Sequence, residues 1–288
     1  WVRQTVPRLP PAAGRRGTFG TSSGDPLRVV GVGDSIIAGV GVGHQGRALL
    51  GHFARRLHER SGRPVQWRAC GVNGADSTLI RERILASRPN DGLLTEENTA
   101  HAGTSGVRWI VDPLDGTTNY AHAFPHFSIS IGIEVDGRRE IAVVHDPMRD
   151  ETFAAQRGRG ANLNAEPIRV SKIGELRRAL LATGFAYDVR DSDRDNLAEF
   201  GRAVKHAGGV RRDGSAAIDL CYVACGRYDG YWELKLHPWD VAAGILIVEE
   251  AGGRVTDLAG GPAPASGRVI ASSNGRIHDE LLRVLAGR

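Results

Sequence analysis

The chain has 288 residues, with 41% apolar and 24% charged residues, an ordinary balance that can bury one large core or two smaller ones. No apolar run approaches the roughly 18 residues a membrane-spanning helix needs, so no membrane role is expected. The net charge of +4 is uneven: residues 1–77 hold eleven arginines against four acidic residues, and the remainder is net acidic. The basic front has scattered arginines and no binding motif, so nucleic acid is not an expected partner. The start is basic and Pro-rich with no apolar segment, so no secretory leader is expected. Three cysteines, Cys70, Cys221 and Cys225, are read as reduced thiols in a cytoplasmic setting rather than as a disulfide framework or metal site.

Residues 1–26 are rich in Pro, Gly, Ser and Arg without periodicity and read as a mobile arm. A short strand is predicted at 27–31, followed by Gly33-Asp34-Ser35. A helix at 47–59 is expected from apolar positions Leu49, Leu50, Phe53, Ala54 and Leu57, then a strand at 64–70 and a turn at Gly71-Val72-Asn73-Gly74. This order resembles the front of the GDSL (SGNH) esterase family, which implies Ser35 as a nucleophile and Gly71 or Gly74 in an oxyanion hole. Two other parts of that family's pattern are missing, a Gly-x-Asn-Asp block and an Asp-x-x-His. A serine without a base is a poor nucleophile, and Ser35 also reads as a polar turn or helix cap. The spacing Gly41-x-Gly43-x-x-Gly46 lies too far past its strand for a dinucleotide fingerprint.

Residues 79–87 read as the end of an amphipathic helix, closed by Pro89-Asn90-Asp91-Gly92, and Leu93-Leu94-Thr95-Glu96-Glu97 follows. The run Trp109-Ile110-Val111-Asp112-Pro113-Leu114-Asp115-Gly116-Thr117-Thr118-Asn119-Tyr120 is the most informative stretch. It is predicted to be a buried strand stopped by Pro113 and Gly116, with two carboxylates at its mouth. Such a pair repels unless something positive lies between, and hard oxygen ligands suit Mg²⁺ or Mn²⁺. Glycine lets backbone approach a phosphate, to which hydroxyls and turn amides can donate.

Further on, strands are expected at 127–135 and 139–145 around an Asp136-Gly137 hairpin turn, and at 151–155 and 180–183. The alternating Ser and Ile of 127–133 read as core pattern without chemistry. A helix is expected over 193–206, another opens at Gly214-Ser215-Ala216-Ala217 and runs to Cys225, and a strand covers 228–233. Trp239-Asp240-Val241-Ala242-Ala243-Gly244 begins a helix to about 251; strands near 254–257 and 268–272 and a helix at 277–285 close the chain.

The blocks Asp112–Asn119 and Trp239–Gly244 resemble the two signatures of the inositol monophosphatase family, over residues 78–288. The resemblance implies an α/β layered sugar-phosphatase fold with its opening helices missing or replaced by the partial esterase-like segment. The expected organisation is an arm at 1–26, the esterase-like piece at 27–77 and the phosphatase-like domain at 78–288. It also implies that Glu96, Asp112, Asp115, Asp240 and the carbonyl of Leu114 bind two or more Mg²⁺ ions, with Mn²⁺ as a second fit. Glu96, Thr117, Asp115 and Asp240 take the catalytic roles, and Gly116, Thr117, Thr118, Gly214, Ser215, Ala216, Glu233 and Asp240 contact substrate. The expected partner is a small phosphorylated polyol or sugar, with inositol 1-phosphate first and a homodimer as the assembly. Where the family has an Asp supporting the threonine, this chain has Asn73, and its nearest carboxylate is Asp76. Two other readings stay open: a non-catalytic interaction protein with a decayed site, and an esterase acting through Ser35.

Overall fold

Apolar residues at every second position build a seven-stranded and a five-stranded sheet, and two largely buried helices fill the space between those two. In a computed structural model, the structure describes residues 16–19, 27–31, 65–69, 77–96, 100–264 and 266–288. The chain divides into two units, Trp1–Asp91 with Glu97–Thr99, and Gly92–Glu96 with Ala100–Arg288.

In the first unit, β1 (Arg16–Phe19), β2 (Leu27–Gly31) and β3 (Val65–Ala69) form a sheet of order β1-β3-β2, with β2 parallel and β1 antiparallel to β3. The strands expected at 27–31 and 64–70 are present. Residues 16–19, assigned to an arm by composition, instead form a strand, because pairing to β3 supplies the partners that local periodicity lacks. Helix α1 (Ser77–Ser87) completes the described part of this unit. Ser35, Gly71, Gly74, Asn73, Asp76, Cys70 and the helix expected at 47–59 lie outside the described residues.

The second unit holds the other two sheets. Strands β4 (Gly92–Thr95), β5 (Val107–Asp115), β6 (Ser128–Val135), β7 (Arg138–Asp146), β8 (Glu151–Gln156), β9 (Gly160–Leu163) and β10 (Glu166–Pro167) lie in reverse sequence order across one sheet. Only the β4–β5 pair is parallel. Helix α2 (Thr117–Ala121) follows β5 directly. Asp136 and Gly137 both have positive φ, as a two-residue hairpin turn requires. Strand β5 continues through Pro113, contrary to the expected stop. Its pairing with β6 jumps from Asp112–Ser130 to Asp115–Ser128, so Pro113 and Leu114 face a single residue in a bulge, where no ladder N–H is required.

The second sheet has the order β12 (Gly209–Arg211), β11 (Leu180–Thr183), β13 (Gly230–Leu234), β15 (Val269–Ser273), β14 (Arg254–Thr256). Its two faces follow from alternation. Leu181, Trp232 and Ala271 pack against α3 (Leu197–His206) and α6 (His278–Ala286), while Ala182, Tyr231 and Ile270 point the other way. That opposite face meets α4 (Ala216–Ala224) and α5 (Pro238–Glu250), which also cover Ala142, Val144, Phe153 and Ala155 of the first sheet. The layers of this unit therefore run helix pair, sheet, helix pair, sheet, the α/β layered fold expected from the sequence. All nine residues of α4 are buried, as a helix sandwiched between sheets demands. Where α4 meets α5, a Cβ on Gly244 would lie 2.7 Å from Leu220 Cβ, so only glycine allows that approach. Helix α3 starts at Leu197 rather than near residue 193, because Asn196 adopts a left-handed conformation and directs its amide into the core, onto Thr183 and Gly184.

His278 is fully buried at the start of α6 between Thr256 Oγ1, 2.9 Å from Nε2, and Ser273 Oγ, 2.8 Å from Nδ1. Burial, helped by Arg254, pushes its pKa down to about 4 from 6.5. The unfolded chain takes up this proton first, so the stability it supports is whole above about 6.5 and lost as pH falls toward 4. Denaturant titrations at pH 7 and pH 5 should show this loss, on the order of 2 kcal/mol for this group. His278→Gln should be less stable at pH 7 yet show a shallower decline on acidification; an unchanged pH slope would contradict the assignment.

Candidate active site

Strand β5 ends where the first sheet faces the helix layer, and its bulge sets two carboxylates at that edge. Asp112 Oδ1 accepts from the Leu114 amide at 2.9 Å, an Asx-type turn that pins the bulge. Thr117 Oγ1 donates back to the Leu114 carbonyl at 3.0 Å. Between them Gly116 takes φ +91°, and a Cβ there would lie 3.1 Å from the His126 carbonyl and 3.2 Å from that of Gly214. No side chain is accommodated at that turn. Asn119 then ties it down, its amide donating to the carbonyls of His126 at 2.8 Å and Asp213 at 2.6 Å.

Asp115 points across to the start of α4. Its Oδ2 accepts from Ser215 Oγ at 2.5 Å, from the Ala217 amide at 2.8 Å and from Ser128 Oγ at 3.4 Å. Ser215 also caps the helix, accepting from the Ile218 amide. The first amides of α4 thus hold a carboxylate of the protein itself, and Ser128, read from its alternation as inert core, touches the site. Burial raises the Asp115 carboxyl above its ordinary range while Ser215 and the Ala217 and Ala216 amides pull it back. Asp112 has one such donor and is raised well above the ordinary carboxylate range by burial first, then by the charges of Asp115, Glu96 and Asp240.

Glu96 follows β4, the parallel neighbour of β5. Asp240 sits in the first turn of α5, where its Oδ2 accepts from the His237 amide at 2.7 Å and closes a helix cap beside the stacked rings of His237 and Trp239. Burial and then Asp115 raise Asp240 well above its ordinary value, with Glu233 and Glu96 adding to the rise. The four acidic residues singled out in the sequence are therefore brought within mutual electrostatic reach, from β4, both ends of the β5 bulge and α5. Glu233, on β13, accepts from Tyr231 Oη at 2.5 Å and is raised to about 7 by burial, with Asp115 adding to and Arg212 opposing the shift. Gly184 lies under it, where a Cβ would overlap the carboxylate. Gly214, at φ +86°, borders Asn119 and Arg212. Thr118 meets a residue with no sequence signal, Tyr187, which stands 87% exposed after β11 with its hydroxyl in hydrogen-bond reach of Thr118. His126, Asp213 and Asp219 also gather close by without a pattern that would have marked them.

An all-oxygen, mutually repelling donor set, two of whose carboxylates are buried, suits a hard divalent cation. At neutral pH the metal-free protein bears the cost of that repulsion. A raised carboxyl favours stability below the unfolded value of 3.8 and loses it as pH climbs toward the folded one. Asp112→Asn keeps an acceptor for the Leu114 amide and removes a charge. In chelator at pH 7 it should melt at or above the parent temperature, whereas added divalent ion should raise the parent's melting temperature and leave the variant's nearly fixed. A variant that melts lower in chelator, or that gains as much from the ion, would contradict this electrostatic picture.

Among the described residues no helix is long and apolar enough to cross a membrane. Residues 72–287 match the inositol monophosphatase family. The Nus factor SuhB of Escherichia coli K12 is 46% identical over 191 residues, 66% of this chain and 72% of that protein. The inositol-1-monophosphatase of Rhizobium meliloti is 44% identical over 208 residues, 72% of this chain and 78% of the relative. The structure of inositol monophosphatase from Anabaena (Nostoc) sp. PCC 7120 superposes with a TM-score of 0.70 at 45% identity, covering 73% of this chain and 84% of that one. The chain belongs to the inositol monophosphatase family, whose members are metal-dependent phosphatases.

Proposed function

We propose that this site hydrolyses a phosphate monoester, with inositol 1-phosphate as substrate and inositol and phosphate as products. The observation that supports it most is the mutual repulsion of Glu96, Asp112, Asp115 and Asp240, with Asp112 and Asp115 buried, beside the Gly116-Thr117 turn. Repelling carboxylates call for cations, and a glycine turn beside cations suits a phosphate. In this reading Glu96, Asp112, Asp115, Asp240 and the Leu114 carbonyl hold two or more Mg²⁺ ions, Mn²⁺ being a second fit. When bound, the ions lower the pKa of water and offset charge on the phosphoryl oxygens.

The chain's own groups divide the remaining work. Thr117 spends its proton on the Leu114 carbonyl, so its oxygen is left to accept from the attacking water, which Glu96 also orients. Gly116, Thr117 and Thr118 hold phosphate oxygens as the water oxygen bonds to phosphorus and the ester oxygen departs. Asp240 faces that leaving oxygen, and Gly214, Ser215 and Ala216 form the wall beside the polyol. Glu233, near half-protonated at neutral pH, can both donate to and accept from polyol hydroxyls. The name of the Escherichia coli relative supports a second role for this fold in transcription, as an interaction protein. The intact acidic group favours hydrolysis here.

Phosphate release from inositol 1-phosphate should require Mg²⁺. Asp115→Asn should lower kcat by about 100-fold or more. Glu233→Gln should raise KM several-fold for the polyol ester with a smaller effect on kcat, and Ser35→Ala should change neither. Activity that survives Asp115→Asn but vanishes in Ser35→Ala would move the working site to the esterase-like front.

A further inference from the structure

Beneath the phosphate turn, three side chains meet that the proposed hydrolysis does not use. His126 comes from the loop before β6, Asp213 from the loop after β12, and Asp219 from the first turn of α4. One ligand atom of each lies within 4.8 Å of those of the other two. His126 and Asp219 are 3% and 1% exposed, and His126 Nε2 and Asp219 Oδ1 have no hydrogen-bond partner among the described residues. Leaving two buried polar atoms unsatisfied is costly, so something other than the chain should meet them.

The surroundings are built to orient rather than to neutralise. Tyr228 Oη donates to Asp213 Oδ2, and the Asn119 amide fixes the backbone carbonyls of both His126 and Asp213. Supports of this kind are what hold metal ligands in place. The two nearby cations, Arg149 beside His126 and Arg212 beside Asp219, make no hydrogen bond to the unpartnered atoms. Arg149 is engaged by Asp146 at 2.7 Å.

We propose that His126, Asp213 and Asp219 form a second metal site, for a borderline divalent ion of the Zn²⁺ type. An imidazole nitrogen with two carboxylates suits Zn²⁺, Mn²⁺ or Fe²⁺. Mg²⁺ prefers an all-oxygen shell and keeps several waters, which suits a group containing a nitrogen donor poorly. The ion clamps the Asp213-Gly214-Ser215 turn to the His126 loop, and Ser215 is the residue that grips Asp115. Its role is to set the turn rather than to join the reaction.

The two sites differ in one measurable way: the four-carboxylate group contains no nitrogen ligand. The full chain, freed of metal by chelation and then given excess Mg²⁺, is titrated with Zn²⁺ by calorimetry and examined by zinc-edge X-ray absorption. The expected result is one Zn²⁺ with an imidazole nitrogen in its scattering, retained in Asp112→Asn. Asp213→Asn and His126→Gln should weaken binding by about tenfold or more. Asp213 is half-buried, so its variant decides the matter should His126→Gln fail to fold. No Zn²⁺ bound, Zn²⁺ without nitrogen, loss of Zn²⁺ in Asp112→Asn, or binding indifferent to Asp213→Asn would each overturn the proposal.

Discussion

The grip of helix α4 on Asp115 is the constraint from which the rest of the site follows. One carboxylate at the end of the seven-stranded sheet accepts from Ser215, Ala217 and Ser128, so the sheet edge, the neighbouring strand and the buried helix share a single anchor. Charge at a helix start is favoured by the aligned peptide dipoles. That lets Asp115 stay buried near other acids at less cost than Asp112, which has one backbone donor. The same grip fixes Gly116 against Gly214, which leaves the turn no room for a side chain.

Function and stability pull against each other here. Asp112, Asp240 and Glu233 all have carboxyl groups raised by burial and by Asp115 beside them, an arrangement that weakens the free protein and suits one holding cations. The surrounding layers make that tolerable. Helices α4 and α5 are buried between two sheets, with Ile245, Leu246 and Ile247 fully covered, so the strain sits on a stiff frame. Asp240 shows the economy of the design: the carboxylate that caps α5 through the His237 amide is also the one that turns toward the acidic group.

What the sequence revealed was local. The Asp112–Asn119 run, the helix opening at Gly214-Ser215-Ala216-Ala217 and the helix start at Trp239-Asp240 are short-range features legible in the residues alone, although that last helix begins one residue earlier, at Pro238. The bulge at Pro113 was hidden because it depends on the register with β6, not on Pro113. Ser128 looked like core alternation for the same reason: only pairing with Asp115 turns its hydroxyl into a site contact. Asp219 sits in an otherwise apolar, fully buried helix and His126 beside a proline, so neither carried a pattern. Their meeting is a product of the layer order, which periodicity cannot supply for helices buried on every side. Asn196 shifted the start of α3 by donating to the Gly184 carbonyl and the Thr183 hydroxyl in the core instead of capping from outside.

The central claim is that four acidic side chains, from the end of β4, from β5 and from α5, share divalent cations. Anomalous diffraction from crystals grown with Mn²⁺ tests it most directly. The account predicts anomalous density among Glu96, Asp112, Asp115 and Asp240, with the Leu114 carbonyl among its contacts. Fully occupied Mn²⁺ elsewhere, with none among these four, would contradict it.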